Sequence, residues 1–486
     1  MSKGSRKAYS KAHRFLCAQE SSENDESSLP TATSLPSPNS LLGVPVEIKQ
    51  AIFSSLPDVA SLKALILTCT CLYHAFLDAA SPTLTKILQA QIDPRLMRDA
   101  VTTYHSSRIP PRSRPAAQDL LRGYIQSRND LLRGYIRRRH DLLKGYIQSR
   151  TPLVLPTWIL HSALELSEMH GHVQYFAYKF ISFALSHNPV SGRPEKKAAS
   201  ISLSEITRIQ RTLYRFEIYY NVFAEPRGSQ CLRRTTFNHD TFDHDVIVRD
   251  EYLSKGFAPW ENEQLACIRD FLLEELCSCT CYSTFVFRDY KKLIDLAFKR
   301  AANKHYPGKD WSEYDPKSHL SLGLARLHRL ILAETRTERD QILHGQSPAN
   351  EDVLLASLDS RSNLYETPLQ DLTEEEQRVL VPPQVADDND NGPVEAWWWV
   401  HAGVTPNLWY NNVMMQDVRR WGYVMWDSAR LAEWKVLDRD WLRLPVPRGK
   451  IGNYRLWLSR EAESGIQQKR QTLLQRLNMF NSHDLT

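Results

Sequence analysis

The sequence predicts a mainly α-helical protein with little or no sheet: a short three-helix segment followed by a large irregular helical body. Three observations predict it. Apolar residues recur at three- and four-residue spacing through most of the chain, the pattern of amphipathic helices. Helix start and stop signals punctuate those stripes. An eleven-residue unit is also repeated in tandem, and eleven residues make three helical turns plus only about 20°.

Length and composition set the frame. A chain of 486 residues suggests two to four domains, and 42% hydrophobic with 10% aromatic residues is enough for real cores. Eight cysteines are too sparse for a disulfide scaffold and point to a reducing compartment. The amino terminus, MSKGSRKAYSKAHRF, has no apolar run of signal-peptide length, and no uninterrupted apolar run is long enough to span a membrane. The expectation is a soluble intracellular protein, cytoplasmic and/or nuclear. Net charge is +5, yet residues 95–150 carry thirteen Lys+Arg against four Asp, leaving −4 elsewhere. Basic character is therefore one segment's property, and nucleic-acid binding does not follow from it.

Residues 1–39, rich in Ser, Pro and acid, have almost nothing to bury and read as a disordered tail. Residues 40–80 then hold three short helical patterns. Pro45 suits a first helical turn, and Ile48, Ile52 and Leu56 recur on one face. Leu56-Pro57-Asp58 ends that helix, with Asp58 placed to cap the next. Leu62, Leu65, Ile66 and Cys69 form a second stripe, and Leu72, Tyr73, Phe76 and Leu77 a third. A unit this small buries little by itself, so its apolar side chains must meet the rest of the chain or a partner.

Residues 81–151 connect this segment to the body. Their three tandem copies are DLLRGYIQSRN, DLLRGYIRRRH and DLLKGYIQSRT, spanning 119–151. The Leu-Leu and Tyr-Ile pairs stay near one helix face, while Gly123, Gly134 and Gly145 each cost roughly 1 kcal/mol relative to Ala. Arg137, Arg138 and Arg139 read as a solvated polar side.

The body occupies 152–372. His161, His170 and His172 lie in its first helical pattern without a Cys or carboxylate at zinc-site spacing, and read as surface or satisfied histidines. Ser202 and Glu205 make a capping box opening a helix with Ile206, Ile209, Leu213, Phe216, Tyr220 and Phe223 on one stripe. The cluster Asp240, Asp243, His244 and Asp245 lacks the Gly and closing Glu of a calcium loop and reads as a solvated acidic loop. A helix from Pro259 turns Cys267, Ile268, Phe271 and Leu272 inward; Cys277, Cys279 and Cys281 follow and read as buried thiols. Asp315-Pro316 precedes a stripe of Leu320, Leu324, Leu327 and Ile331.

Residues 373–393, with TEEEQ, VPPQ and DDNDNGP, read as an acidic, Pro-rich linker or loop. Residues 394–486 form a Trp-rich carboxyl-terminal part packed on the body, since nine of the twelve tryptophans fall there. Arg419, Arg420 and Arg430 around Trp421 and Trp426 suggest packing supplemented by ion pairs. A polar helix with Leu473, Leu474 and Leu477 inward closes the chain.

At Leu41, Val44, Pro45, Glu47, Ile48, Ile52, Leu56, Leu62, Leu65, Cys69 and Tyr73 the three-helix segment resembles an F-box. It departs from that pattern where Val44 replaces Leu before the proline and Tyr73 replaces Trp, both swaps keeping apolar bulk. The blocks RIQRTLYRFEIYYNVF, FAPWENEQLACIRDFL and RRWGYVMWDSARL of the body are similar to those of a large, poorly characterised fungal family whose members often carry an F-box-like segment. The resemblance implies a non-catalytic substrate receptor of a cullin–RING ubiquitin ligase. Leu41, Val44, Pro45, Glu47, Ile48, Ile52, Leu56, Leu62 and Leu65 would bind a Skp-type adaptor, and the body would bind an unknown client protein.

No P-loop, dinucleotide Gly motif, Gly-x-Ser-x-Gly elbow or HExxH occurs, and 18 glycines leave little for phosphate-cradling loops. No catalytic residues, metal ligands or cofactor are expected. The alternative is a structural or interaction protein whose F-box-like helices belong to its own core.

Overall fold

A computed structural model describes residues 43–109, 116–128, 157–193, 201–223, 252–253, 256–278, 319–343, 353–359, 367–381, 390–406, 409–410 and 413–445. These residues are mainly helical, with no extended strand among them. Five helices come first: α1 (Val46–Ser54), α2 (Val59–Ile66), α3 (Thr70–Leu77), α4 (Ala80–Gln91) and α5 (Met97–Ser106). α6 covers 116–128. α7 (Leu160–Ala184), α8 (Leu203–Phe223) and α9 (Pro259–Ser278) are the long helices of the body. The shorter ones follow: α10 (Leu324–Leu332), α11 (Arg336–Leu343), α12 (Val353–Asp359), α13 (Glu374–Leu380), α14 (Gly392–His401), α15 (Val413–Arg420) and α16 (Ser428–Trp434).

Local signals account for the first boundaries. The Pro45 carbonyl accepts from the N–H groups of Ile48 and Lys49, both at 3.2 Å, as it opens α1. Asp58 Oδ1 accepts from Ser61 N at 2.6 Å and caps α2. α3 starts on a thiol instead, with Cys69 Sγ taking the Leu72 N–H at 3.5 Å. Packing then layers the segment: α2 and α4 lie against α7, while α1 covers α3 and α4 from the other side.

The centre of the body is α8, packed by α5, α7 and α9. Its apolar stripe is buried from Ile209 to Phe223, but so are Arg208, Arg211 and Arg215. A buried guanidinium is tolerated only when paired and hydrogen-bonded. Arg208 reaches Asp427 at 3.0 Å, and Arg215 reaches Glu261 at 3.0 Å. The other Glu261 oxygen takes Arg128 of α6 at 2.6 Å, and Asp99 of α5 lies 3.9 Å from both Arg211 and Arg215. The capping box of α8 forms, with Glu205 N to Ser202 Oγ and Ser202 N to Glu205 Oε2 both at 3.0 Å. Glu205 also receives Arg430 of α16 through two bonds of 2.7 and 2.6 Å. One residue therefore caps a helix and ties it to a segment more than two hundred positions away.

Toward its carboxyl end α8 carries Glu217, whose Oε2 accepts from Leu324 N at 2.7 Å, the first residue of α10. Gly323 permits the approach: its φ is +80°, and a Cβ there would stand 2.7 Å from Glu217 Oε1. Burial pushes the Glu217 carboxyl up to about 7, against the Leu324 N–H and Arg326, which lower it. A pKa above the unfolded value of 4.5 means that the folded state holds the proton more tightly. That stabilisation is complete below about pH 4.5 and is lost as pH rises through 7. Glu217→Gln should therefore gain stability relative to wild type between pH 4.5 and 8, read as a growing difference in urea midpoints.

One departure from the sequence reading concerns a connection. Residues 374–380 form helix α13 rather than loop, opened by Thr373 and Glu376 as a capping box with bonds of 2.9 and 3.3 Å. Residues 382–389 lie outside the described part. Of the tandem repeat, only residues 119–128 of the first copy, within α6, are described; there Leu121 and Tyr124 are buried and Arg122 is exposed.

The Trp-rich part is core. Trp397, Trp409, Trp421, Trp426, Trp434 and Trp441 are buried, with ring centroids 5.3 Å apart for Trp397 and Trp409 in an edge-to-face contact. Gly422, at φ +65°, closes the chain over Phe180, which a Cβ would meet at 2.6 Å.

Candidate functional site

The exposed large apolar side chains are unevenly distributed. Nine occur among the described residues, and five of them, Val46, Ile48, Leu67, Tyr73 and Leu77, belong to α1–α3 or their joins. Packing explains this: α2 and α4 take the inner layer against α7, so α1 and α3 keep an outer face. On α1, Lys49 and Phe53 turn inward, with Lys49 Nζ on Cys71 Sγ at 3.2 Å and Gln50 Nε2 on the Ala75 carbonyl at 3.2 Å. These bonds set the register of α1 on α3 and leave Ile48 half exposed, at 50%. On α3, Leu72, Ala75 and Phe76 are buried, while Tyr73 and Leu77 are 40% and 50% exposed, one turn apart on the outer side.

The expected site residues divide along this layering. Pro45, Glu47 and Ile48 are exposed; Val44, Ile52, Leu56 and Leu65 are partly buried. Leu62 is fully buried in the core, facing away from solvent. Leu41 lies outside the described residues. The stripe of Ile48, Ile52 and Leu56 thus runs from solvent at the amino end of α1 inward toward its end. Phe53, not on the expected stripe, is the residue that anchors α1. Val46, Tyr73 and Leu77 complete the outer face. The alternation of the inward set Leu72, Ala75 and Phe76 with Tyr73 and Leu77 was a signal for this, because one helix cannot bury all five.

The histidines elsewhere have neighbours within the fold. His161 is exposed beside Glu165 at 3.1 Å. His170 is buried, Nδ1 2.7 Å from Tyr214 O–H, and burial depresses it to about 4. His401 is enclosed by Trp397, Trp409 and Tyr423. Its Nδ1 lies 2.9 Å from the Trp397 carbonyl, which only accepts, so that nitrogen carries the proton. Burial depresses His401 to about 3 and keeps it neutral. The acidic cluster around His244, the side chains of the C-x-C-x-C run from Cys277, and Arg137, Arg138 and Arg139 lie outside the described residues.

Among the described residues no three His, Cys, Asp or Glu side chains stand together as a metal-holding group. No described helix is long and apolar enough to cross a membrane. No protein-family model, curated protein or solved structure matches the chain.

Proposed function

We propose that α1–α3 form a docking module for a Skp-type adaptor, making the chain a non-catalytic substrate receptor of a cullin–RING ubiquitin ligase whose helical body binds a client protein. The supporting observation is the gathering of exposed Val46, Ile48, Tyr73 and Leu77 on α1 and α3, within a segment that holds five of the nine exposed large apolar side chains among the described residues. Apolar side chains gathered at the surface mark interaction sites more often than chance exposure does. Pro45 stiffens the entry to α1, and Glu47 beside Ile48 supplies a polar edge. Adaptor burial of this face would remove the cost of exposing it, with the half-exposed aliphatic and the aromatic contributing most.

The test is co-purification of the full chain with a Skp-type adaptor. Wild type should retain the adaptor, and Pro45→Ala with Ile48→Ala should lose it while the melting temperature stays close to wild type. Failure of wild type to bind would favour the other reading, a structural or interaction protein that keeps these helices for itself. The complete burial of Phe53, Leu62 and Leu72 is the observation on that side.

A further inference from the structure

Helix α10 meets α7 through a contact between two histidines. His172 Nδ1 and His328 Nδ1 lie 2.7 Å apart, with ring planes at 80°. Both rings are partly buried. Tyr175 and Phe176 of α7 flank the His328 ring, with centroids at 3.9 and 5.9 Å. A bond between two imidazole nitrogens needs one proton and one lone pair. The neutral pair supplies both: one ring carries its proton on Nδ1 and donates, while the other carries its proton on Nε2 and accepts. A first added proton goes to Nε2 of the donating ring and leaves the bond in place. A second has only the accepting Nδ1 to go to. Two N–H groups on two cations then face each other with no acceptor between them, and the contact breaks.

We propose that the His172–His328 contact is an acid-released latch: the pair carrying at most one charge keeps α10 on α7, and the doubly protonated pair frees it. The latch lies in the body and does not rest on the docking role of α1–α3. Helix α10 is suited to conditional seating. At nine residues it is below the roughly dozen needed for a helix to persist without packing. Its Leu324, Leu327 and Leu330 are buried against its neighbours, so release bares an apolar stripe. The charges around the pair are unequal. On α7, exposed Glu168 favours the proton on His172, while Lys179, engaged with Glu275 of α9, opposes it on His328. Arg326 and Arg329 of α10 are exposed. From α11, Arg339 donates to the Leu330 carbonyl at 3.3 Å. Buried His319 precedes the turn Leu320–Leu322 that leads into α10, and Glu217 of α8 accepts from Leu324 N. Burial lowers both imidazoles of the pair below the usual 6.5, and His172 lowers His328 further. The folded state therefore binds these protons less tightly than the unfolded chain. The stabilisation is present above pH 6.5 and is lost as pH falls through the lowered values. Glu217 has the opposite sign, stabilising more as pH falls, so acid release does not originate there.

The experiment is amide hydrogen exchange on the full-length chain at about pH 7.5 and about pH 5, corrected for the intrinsic pH dependence of exchange and read on peptides covering α10. In wild type, protection of α10 should fall by about tenfold or more beyond any fall in α8, the equivalent of one pKa unit. The His172→Gln, His328→Gln double variant should lose that excess fall, because neither side chain then charges, and Glu217→Gln should keep it. Circular dichroism checks that each variant is folded. Ring resonances of the wild-type histidines give a readout that needs no variant. The pair should take up protons in two separate steps, the second coinciding with loss of α10 protection. Equal protection of α10 at both pH values in wild type overturns the latch. So does an excess fall that persists in the double variant or disappears in Glu217→Gln, and so does protonation of both rings with α10 still protected.

Discussion

Replacing Arg419 with alanine should destabilise the folded chain by about 3–5 kcal/mol, the cost of leaving a buried charge without its partner. Arg419 is 1% exposed and Glu263 is fully enclosed. Their contact is two-pronged, Nε to Oε1 at 2.7 Å and Nη2 to Oε2 at 3.1 Å. The guanidinium also donates to the carbonyls of Trp409 at 2.7 Å and Tyr410 at 3.3 Å. Burial lifts the Glu263 carboxyl above its usual range and Arg419 pulls it back. Without Arg419, Glu263 must take up a proton or remain charged where burial disfavours the charge. Two backbone carbonyls of the Trp-rich part lose their donors at the same time. Lysine is no substitute, because an ammonium group cannot make the paired contact. The measurement is the shift in urea midpoint at constant m-value, with Arg419→Lys recovering only a minor part. A loss below about 1 kcal/mol would mean that the pair does not hold α9 to α15.

The second large effect separates the two sides of α1. Phe53→Ala should cost about 3–5 kcal/mol, since a wholly buried aromatic leaves a cavity as well as losing its transfer energy. Ile48→Ala, on the other side of the helix and half exposed, should cost under about 1 kcal/mol. The same pair of variants should behave oppositely toward an adaptor: Ile48→Ala weakens docking without unfolding, and Phe53→Ala weakens it only through loss of the folded module. If Ile48→Ala were as damaging to stability as Phe53→Ala, the outer face would have to be covered in solution, and the docking proposal would fall.

The contrast between Ile48 and Phe53 shows how far periodicity reaches. Both sit in the same nine-residue helix, and apolar spacing alone puts Ile48, Ile52 and Leu56 on one face without saying whether the body covers it. The choice was made by α3 and α4, which α1 touches through Phe53 and Lys49. A stripe says that a helix has an apolar side, but a helix wedged between neighbours and solvent can present apolar residues to both. Helix α13 illustrates the opposite case. Its Thr373 and Glu376 are a local signal present in the residues themselves, outweighed in reading by the acidic and Pro-rich surroundings.

What the sequence determined by itself was local. The mainly helical class, the capping of α2 by Asp58, the capping box of α8, the inward stripe of α8 and the packing role of the tryptophans follow from spacing and side-chain chemistry within a few turns. What only the tertiary structure decided was pairing at long range. Arg208 with Asp427, Arg430 with Glu205 and Arg419 with Glu263 join residues more than one hundred and fifty positions apart, and His172 meets His328 across a similar distance. A charge in a sequence carries no mark of whether it will face water or a partner. That depends on which helices enclose it, because removal from water is what turns an ordinary arginine into one that requires a carboxylate.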